Sequence, residues 1–196
     1  AETLAVQVRA TDTGGNVTTA DAVTFSVIPD ITPPEMLALT PPDGRLLLPG
    51  EATVTVTFSE PVDRASVTAA LLDVTRTNGE TPETIGVTDI VFLADDQIVE
   101  FLLPPLVLGD YTTALDLSGV TGLGGNAIGG EPVARGFEVV DATAIWSNDA
   151  GGRWDVAENW RDGAVPLPED GVAISLPGDA VVSVPNRVSV DIERLR

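Results

Sequence analysis

The sequence predicts an all-β protein built around a sandwich of two sheets. Short runs in which valine or threonine alternates with other residues recur along the chain, and period-two alternation of β-branched residues favours strands over helices. Glycine and proline, 19 and 15 of the 196 residues, separate these runs and allow the chain to reverse between strands. Because 43% of the residues are hydrophobic, the chain is expected to bury a core and fold.

The first 30 residues predict one β-hairpin. The runs "LAVQVR" (4–9) and "DAVTFSVI" (21–28) alternate apolar and polar residues on either side of the turn "TDTGGN" (11–16), as half-buried strands do. Two strands alone are marginally stable in water, so the hairpin needs a further partner. The segment "PDITPPEM" (29–36) follows, and its adjacent prolines predict a stiff, extended linker.

Residues 31–141 predict a complete sandwich of seven strands. The candidate strands are 36–40, 52–59, 70–77, 85–93, 97–104, 110–118 and 134–141. The turn-forming stretches between them are "PPDG" (41–44), "TNGE" (77–80), "ADD" (94–96) and "GGN" (124–126). A short helical turn is expected at 63–70, with Asp63 as its N-cap. Seven short strands over about 105 residues are typical of a two-sheet sandwich.

One turn sequence occurs twice in the chain. The stretch "TGLGGN" (121–126) repeats "TDTGGN" (11–16), and residues 114–139 align with 6–27 as strand, turn and strand. In each copy the Gly-Gly-Asn sequence predicts a turn that uses positive φ between the last two strands of a sandwich. The first copy lacks the strands that should precede it. The sequence is therefore expected to be a section of a longer repeat array, with 1–30 as the last hairpin of a truncated domain.

The middle of the chain resembles the bacterial Ig-like domains of S-layer and other surface proteins. The resemblance rests on "DITPPEMLALTPPDG" (30–44), "VTVTFSEPVDRASVTAALLDV" (54–74), "VEFLLPPLVLGDYTTALDLSGVTGLGGNAI" (99–128) and "FEVVD" (137–141). Its most specific parts are "TFSEPVD" (57–63) and "YTTALDLSGVTGLGGN" (111–126). The resemblance implies an Ig-like sandwich that serves as a spacer in a long exported chain, with neighbouring domains of that chain as partners. It also implies an extracellular or cell-surface location.

Residues 142–196 change in character. All three tryptophans fall in "IWSNDAGGRWDVAENW" (145–160). The segment is similar to the start of an autotransporter-like β-solenoid, a resemblance carried by Gly152, Trp154, Asn159, Trp160, Gly163, Pro166, Asp170, Val172 and Ile174. The strands that follow, as far as "RVSVDIERLR" (187–196), are too few to stack into a stable solenoid alone. A continuation beyond residue 196 is therefore expected.

The composition excludes several classes of function. Thirty acidic residues against ten basic ones, all arginine, leave a formal net charge of −20, which repels nucleic-acid phosphates and anionic lipid. The absence of cysteine and histidine removes disulfides, thiol nucleophiles, thiolate ligands and the commonest general base. No apolar run approaches the about 20 residues that span a bilayer. No catalytic residue, nucleic-acid partner or membrane insertion is expected.

Calcium is the one metal that this composition suits, because calcium takes oxygen ligands and needs neither histidine nor cysteine. The candidate ligands near the domain junctions are Asp12, Asn16, Asp30, Asp43 and Asp141. No stretch matches the D-x-[DN]-x-[DN]-G calcium loop, and aspartate and asparagine equally form turns. The turn interpretation is favoured, and no other cofactor is expected.

The three tryptophans allow two interpretations. Trp146, Trp154 and Trp160 could offer flat apolar faces on which a sugar ring stacks. They could equally cover the open end of a β-solenoid core, and that interpretation is favoured.

Together these observations predict a non-catalytic structural segment of a large bacterial adhesin-like or S-layer-like protein. Two alternatives from other classes stay open. One is a module that binds glycan or calcium. The other is a filament subunit in which the hairpin at 1–30 self-associates by adding to a neighbour's sheet.

Overall fold

The computed structural model describes residues 2–77, 81–176 and 179–185, and these residues form an all-β fold, as predicted. The first four strands are β1 Glu2–Val6, β2 Arg9–Thr11, β3 Val17–Thr19 and β4 Val23–Val27. The next nine are β5 Met36–Thr40, β6 Arg45–Leu47, β7 Thr53–Phe58, β8 Leu72–Arg76, β9 Glu83–Thr84, β10 Asp89–Leu93, β11 Ile98–Leu102, β12 Gly109–Leu115 and β13 Val133–Val139. The last four are β14 Ala144–Ile145, β15 Gly152–Arg153, β16 Val172–Ala173 and β17 Val182–Ser183.

Strands β5 to β13 form the sandwich. One sheet has the order β10-β11-β7-β5 and the other the order β6-β13-β12-β8-β9. Neighbouring strands are antiparallel except β6 and β13, which run parallel with Leu47 opposite Val139. The described chain enters the sandwich on β5 in one sheet and leaves it on β13 in the other.

The core lies between the two sheets. On β7 the inward residues Val54, Val56 and Phe58 are 1%, 0% and 3% exposed, while the residues between them face outward. This is the period-two pattern of a half-buried strand. On the facing sheet the rings of Tyr111 and Phe137 stack with centroids 5.1 Å apart. The Tyr111 hydroxyl donates to the Val107 carbonyl at 2.8 Å, so this buried polar atom has a partner.

The predicted helical turn at 63–70 is two 3-10 turns, Arg64–Ser66 and Ala69–Leu71. Asp63 caps the first by accepting from the Ala65 amide, as predicted. The second turn delays the strand predicted at 70–77, which begins at Leu72.

Two sequence-based expectations for the sandwich are corrected. The strand predicted at 85–93 is wrong in its first half: β10 begins at Asp89, and Glu83–Thr84 pairs with β8 in the other sheet. Residues 85–88 carry the chain from one sheet to the other, and an alternating pattern does not mark such a crossing. Strand β6 was not predicted, because "RLL" is short and does not alternate. Most of the predicted "TNGE" turn lies outside the described residues.

The hairpin at 1–30 has four strands rather than the two predicted. Strand β1 pairs with β4, and β2 pairs with β3, with an interruption between the two ladders. All residues from 2 to 33 are exposed. The apolar face of the β1–β4 pair consists of Leu4, Val6, Val23, Phe25 and Val27, each between 44% and 57% exposed.

After the sandwich the described chain forms two small parallel ladders. β14 pairs with β16, and β15 pairs with β17. A 3-10 turn at Ala157–Asn159 lies between β15 and β16. The candidate strand at 187–196 lies outside the described residues.

Two phenylalanines within strands, one on β11 and one on β4, test which part of the chain holds the core. Phe101 is 1% exposed and Phe25 is 53% exposed. Phe101→Ala should lower the free energy of unfolding of the sandwich by about 3–5 kcal/mol, because it leaves a cavity between the sheets. The matched change Phe25→Ala should cost less than about 0.5 kcal/mol. Urea unfolding followed by the NMR signals of Tyr111, the only tyrosine, measures both, and similar losses would contradict this assignment of the core.

Candidate functional site

Three segments meet at one end of the sandwich, which we call the linker pole: 30–35, 59–63 and 121–126. The Asn126 side chain donates to the Asp30 carbonyl at 2.9 Å. The Asp63 amide donates to the Thr121 carbonyl at 2.8 Å, and Val62 forms an isolated β-bridge with Gly122. The stretch "TFSEPVD" and the end of the stretch "YTTALDLSGVTGLGGN", the two most specific parts of the sequence, therefore contact each other and the linker.

The two GGN turns make the same backbone hydrogen bonds and share one positive-φ glycine. In the first, Asp12 N donates to Asn16 O at 3.0 Å and Gly15 N to Asp12 O at 3.1 Å. In the second, Gly122 N donates to Asn126 O and Gly125 N to Gly122 O, both at 3.0 Å. Gly15 has φ +87° and Gly125 has φ +81°, a conformation that favours glycine. The predicted positive-φ turn is confirmed in both copies.

The side chains of the first turn bond to each other. The Asp12 carboxylate accepts from the Gly14 amide at 2.9 Å, and from the Asn16 amide and side chain at 2.8 Å each. These bonds, that from the Asn16 side chain above all, lower the pKa of Asp12, because they favour the ionised form. The first turn thus satisfies its own polar groups.

The second turn is shaped around its neighbours. A Cβ on Gly122 would lie 2.6 Å from Glu60 Oε1 and 3.3 Å from Pro34. A Cβ on Gly124 would lie 3.0 Å from the Asp30 carbonyl oxygen. Glu60 Oε1 is buried and has no hydrogen-bond partner among the described residues. Glycine at these two positions lets the loop and the linker approach the turn.

The linker is held at both of its ends. Pro34 is less than 2% exposed. Beside it the Glu35 amide donates to Ser59 Oγ and the Ser59 amide donates to the Glu35 carbonyl, both at 2.9 Å. At the other end Asp30 accepts from the hydroxyl and amide of Thr32, which lowers the pKa of Asp30, the hydroxyl contributing most. Sequence reasoning identified the linker but not the Glu35–Ser59 contacts, because these join residues 24 positions apart in the chain.

The five candidate calcium ligands are distributed over several places. Asp12 and Asn16 bond to each other in the first turn, and Asp30 accepts from Thr32. Asp43 accepts from the Gly136 amide at 2.7 Å, and Asp141 is exposed before β14. Within residues 2–77, 81–176 and 179–185, no three acidic side chains form a group that could hold a metal ion. The described contacts of these side chains are those of turns.

The three tryptophans form a buried cluster. Trp146, Trp154 and Trp160 are 2%, 5% and 2% exposed. Trp160 meets the other two rings edge to face, with centroids 5.0 and 4.8 Å away. The indole N–H of Trp146 donates to the Asn148 carbonyl at 2.7 Å, and that of Trp160 donates to the Trp154 carbonyl at 2.8 Å. A sugar ring stacks on an exposed aromatic face, so this burial argues against the glycan-binding hypothesis.

A buried asparagine orders the loops around the tryptophans. Asn159 is 7% exposed; its side chain donates to the Arg153 carbonyl at 2.8 Å and accepts from the Asn148 side chain at 2.7 Å. Such a network is stable because each buried polar atom has a partner.

Arg161 joins the tryptophan segment to the sandwich. Its guanidinium donates to both carboxylate oxygens of Glu51, at 3.1 and 3.0 Å, and to the Leu46 carbonyl at 2.6 Å. Both contacts with Glu51 come from one nitrogen, Nη1, while Nη2 donates to the Leu46 carbonyl. The Arg161 side chain is 19% exposed and that of Glu51 is 45% exposed. Sequence reasoning missed this contact, which spans more than a hundred residues.

A cleft of about 200 Å³ lies beside this contact, lined by Pro42, Asp43, Gly44, Arg45, Leu46, Ile145, Trp146, Asp149, Ser175 and Leu176. Pockets for small molecules usually enclose about 300–1,000 Å³, so the cleft does not support a ligand-binding function. In the described ranges no helix is long and apolar enough to cross a membrane.

Comparison with known proteins finds a family match for the middle of the chain. A family model described as bacterial Ig-like domain matches residues 30–130. No curated protein matches the chain.

Several solved structures resemble part of the chain. The N-terminal part of the bacterial S-layer protein SbsC is 18% identical, with a TM-score of 0.38 over 61% of this chain and 27% of that one. PcoC, a methionine-rich copper resistance protein from Escherichia coli, is 15% identical, with a TM-score of 0.42 over 55% and 98%. Native alpha-2-macroglobulin from Escherichia coli is 14% identical, with a TM-score of 0.39 over 62% and 36%.

The chain spans between 15% and 27% of the length of the SbsC structures that it matches. The family model covers just over half of the chain, including the linker, both specific stretches and the second GGN turn. The chain belongs to the bacterial Ig-like domain family.

Proposed function

We propose that this chain is a non-catalytic spacer of a bacterial cell-surface or secreted protein, which holds other modules apart and bears tension between them. The observation that carries the proposal is the way in which the sandwich is connected to the rest of the chain. The linker enters at one end, and β13 leaves at the other. A unit connected in this way transmits force along its length.

The pairing register supports these opposite ends. Met36 lies opposite Phe58, next to the loop that contacts the second GGN turn. Gly109 lies opposite Val139, and from Gly109 the strand β12 runs toward that turn. Residue 139 is therefore at the end of the sandwich opposite the linker pole.

The pair of strands β6 and β13 would resist tension in shear. Strands β6 and β13 are parallel, and β6 is loaded from its N-terminal end whereas β13 is loaded from its C-terminal end. The two strands are then pulled in opposite directions along their common axis, so their hydrogen bonds share the load instead of breaking one after another. Gly44 N donates to Gly136 O at 2.7 Å, and Val140 N donates to Leu47 O at 3.0 Å.

The exposed hairpin supports an arrangement of Ig-like units in series. Leu4 lies opposite Phe25, as Tyr111 lies opposite Phe137 in the sandwich. Phe25 is 53% exposed, whereas Phe137 is 4% exposed beneath the other sheet. We assign 1–30 to the last hairpin of a further Ig-like unit and 31–141 to the complete unit. The neighbouring units of one long exported chain are then its partners.

The C-terminal segment, 142–196, is assigned as the start of a β-solenoid. Its two parallel ladders pair Ala144 with Val172 and Gly152 with Val182. The paired residues are 28 and 30 positions apart in the sequence. A similar offset in both ladders is what successive coils of a solenoid require. The tryptophan cluster lies between the paired segments in the sequence and supplies their apolar packing with Val172 and Val182.

Pulling on single molecules by their two ends tests the spacer function. Asp43 bonds to Gly136 between the two loaded strands, so Asp43→Ala should speed unfolding of the sandwich under force. A hydrogen bond worth about 1 kcal/mol changes the rate about fivefold. Asp116→Ala is the matched control, because Asp116 accepts from Ser118 within a single turn. Equal unfolding rates for the two variants would count against load on the β6–β13 pair.

Two glycines test the stacking of the C-terminal segment. Gly151 has φ +78° and its Cβ would lie 2.5 Å from the Val181 carbonyl oxygen, whereas Gly163 has φ +66° and open space around it. Both alanine variants should lower the free energy of unfolding by about 1–2 kcal/mol, the cost of positive φ for a residue with a Cβ. Gly151→Ala should lower it further, because its Cβ would push β15 away from β17. Urea unfolding followed by tryptophan fluorescence measures both variants. Equal losses would disagree with close stacking of β15 on β17.

The exposed hairpin also favours a second candidate function, assembly of copies through this face. Light scattering over a range of concentrations tests it. Assembly requires a mass that rises with concentration and a shift toward monomer in Phe25→Asp, because a carboxylate is costly to bury in an apolar contact. A strict monomer at every concentration removes this candidate.

A further inference from the structure

The two GGN turns differ in what the asparagine side chain holds. Asn16 Nδ2 donates to Asp12 within its own turn at 2.8 Å, whereas Asn126 Nδ2 donates to the Asp30 carbonyl of the linker at 2.9 Å. The position of Asp12 is occupied by Gly122 in the second turn. The second turn therefore has no carboxylate of its own to take the amide, and the amide reaches a carbonyl outside the turn.

The glycines of the second turn make room for that carbonyl. A Cβ on Gly124 would meet the Asp30 carbonyl oxygen at 3.0 Å and Asp30 Cβ at 3.2 Å. In the first turn a Cβ on Gly14 would meet atoms of Asp12 and Asn16, the nearest at 3.3 Å. One turn is closed on itself, and the other is open to the linker, although their backbone hydrogen bonds are the same.

We propose that the turn at 121–126 is a linker lock, which seats the backbone of 30–35 and fixes the direction in which the preceding residues leave the sandwich. Asn126 holds Asp30, the first residue of the segment 30–35. Buried Pro34 and the two Glu35–Ser59 bonds hold its other end. Pro33 and Pro34 restrict the linker before it docks, so docking removes less conformational freedom than it would from a flexible linker.

The side chain of Glu60 occupies the space that a carboxylate side chain at residue 122 would need. Its Oε1 already occupies the space beside Gly122, 2.6 Å from where a Cβ would lie. Any side chain at 122 would collide with it, and a carboxylate there would also compete for the Asn126 amide. The pair Gly122 and Glu60 thus keeps the second turn open.

Distance measurements between two spin labels test the lock. The chain has no cysteine, so Thr24→Cys on β4 and Thr112→Cys on β12, both exposed, place one label on each side of the linker. Asn126→Ala should broaden the distance distribution about twofold, since a released linker samples more directions. Asn126→Asp, which keeps the shape but removes the donor, should do the same. Asn16→Ala is the matched control and should leave the width unchanged.

A transplant of the first turn provides an independent variant. Gly122→Asp combined with Glu60→Ala removes the collision with Glu60, leaves a Cβ contact of 3.3 Å with Pro34, and supplies a carboxylate that takes the Asn126 amide. This double variant should also broaden the distribution, and it should keep the NMR signals of Tyr111 in their folded positions.

An NMR titration of Asp12 checks the effect of the control variant Asn16→Ala. Asn16→Ala should raise the pKa of Asp12 toward its ordinary value, because the Asn16 side chain is the largest cause of its lowering. A pKa of Asp12 that does not move would contradict the difference between the turns on which the lock depends. Widths that stay unchanged in Asn126→Ala and Asn126→Asp, or that increase equally in Asn16→Ala, would overturn the lock.

The lock deepens the spacer proposal, and its use in setting the angle between units rests on that proposal. The two can fail separately. The labels report linker geometry without force, whereas the pulling experiment reports the β6–β13 pair, to which Asn126 does not belong.

Discussion

The face-to-face packing of the two sheets is the constraint on which the rest of the structure depends. Val56, Val74, Val99 and Leu115 are all 0% exposed and come from both sheets. A slip of one residue in any of their strands would turn the apolar side to solvent, so this packing specifies the registers. The registers in turn bring the ends of β7 and β12 to the same pole. The contacts of the linker pole are therefore a consequence of the core and do not arise from local sequence alone.

The duplicated turn separates backbone from side-chain effects. Both copies make the same two backbone hydrogen bonds, and in both the second glycine has positive φ, which glycine adopts without the steric cost of a Cβ. What the asparagine then binds is decided by residue 12 or 122 and by whether another segment approaches. The same turn motif can thus form the same backbone hydrogen bonds at two places in one chain, while its asparagine side chain binds a different partner in each.

Several aspartates stabilise turns and loops through hydrogen bonds that their carboxylates accept. Three exposed aspartates, Asp12, Asp30 and Asp116, accept hydrogen bonds from groups two to four residues away, which lowers the pKa of each. The half-buried Asp170 accepts from the Leu167 amide and from the Thr143 hydroxyl, which lowers its pKa as well. A pKa below the unfolded value means that the stabilisation is present above the ordinary pKa of aspartate and is lost as the pH falls through the lowered value. The turns should therefore be weakest in acid. All thirty acidic residues, those in turns included, contribute to the formal charge of −20, which favours solubility.

The sequence by itself determined the strand content, the Asp63 cap, the stiff linker and the positive-φ GGN turns, because each depends on residues within a few positions of one another. The tertiary structure alone decided the rest. It decided that residues 85–88 cross between sheets, that β6 pairs with β13, and that the tryptophans are buried. It also brought Asn126 to Asp30 and Arg161 to Glu51. These contacts join residues about a hundred positions apart, and their geometry is set by the packing of the whole core, which no local pattern encodes.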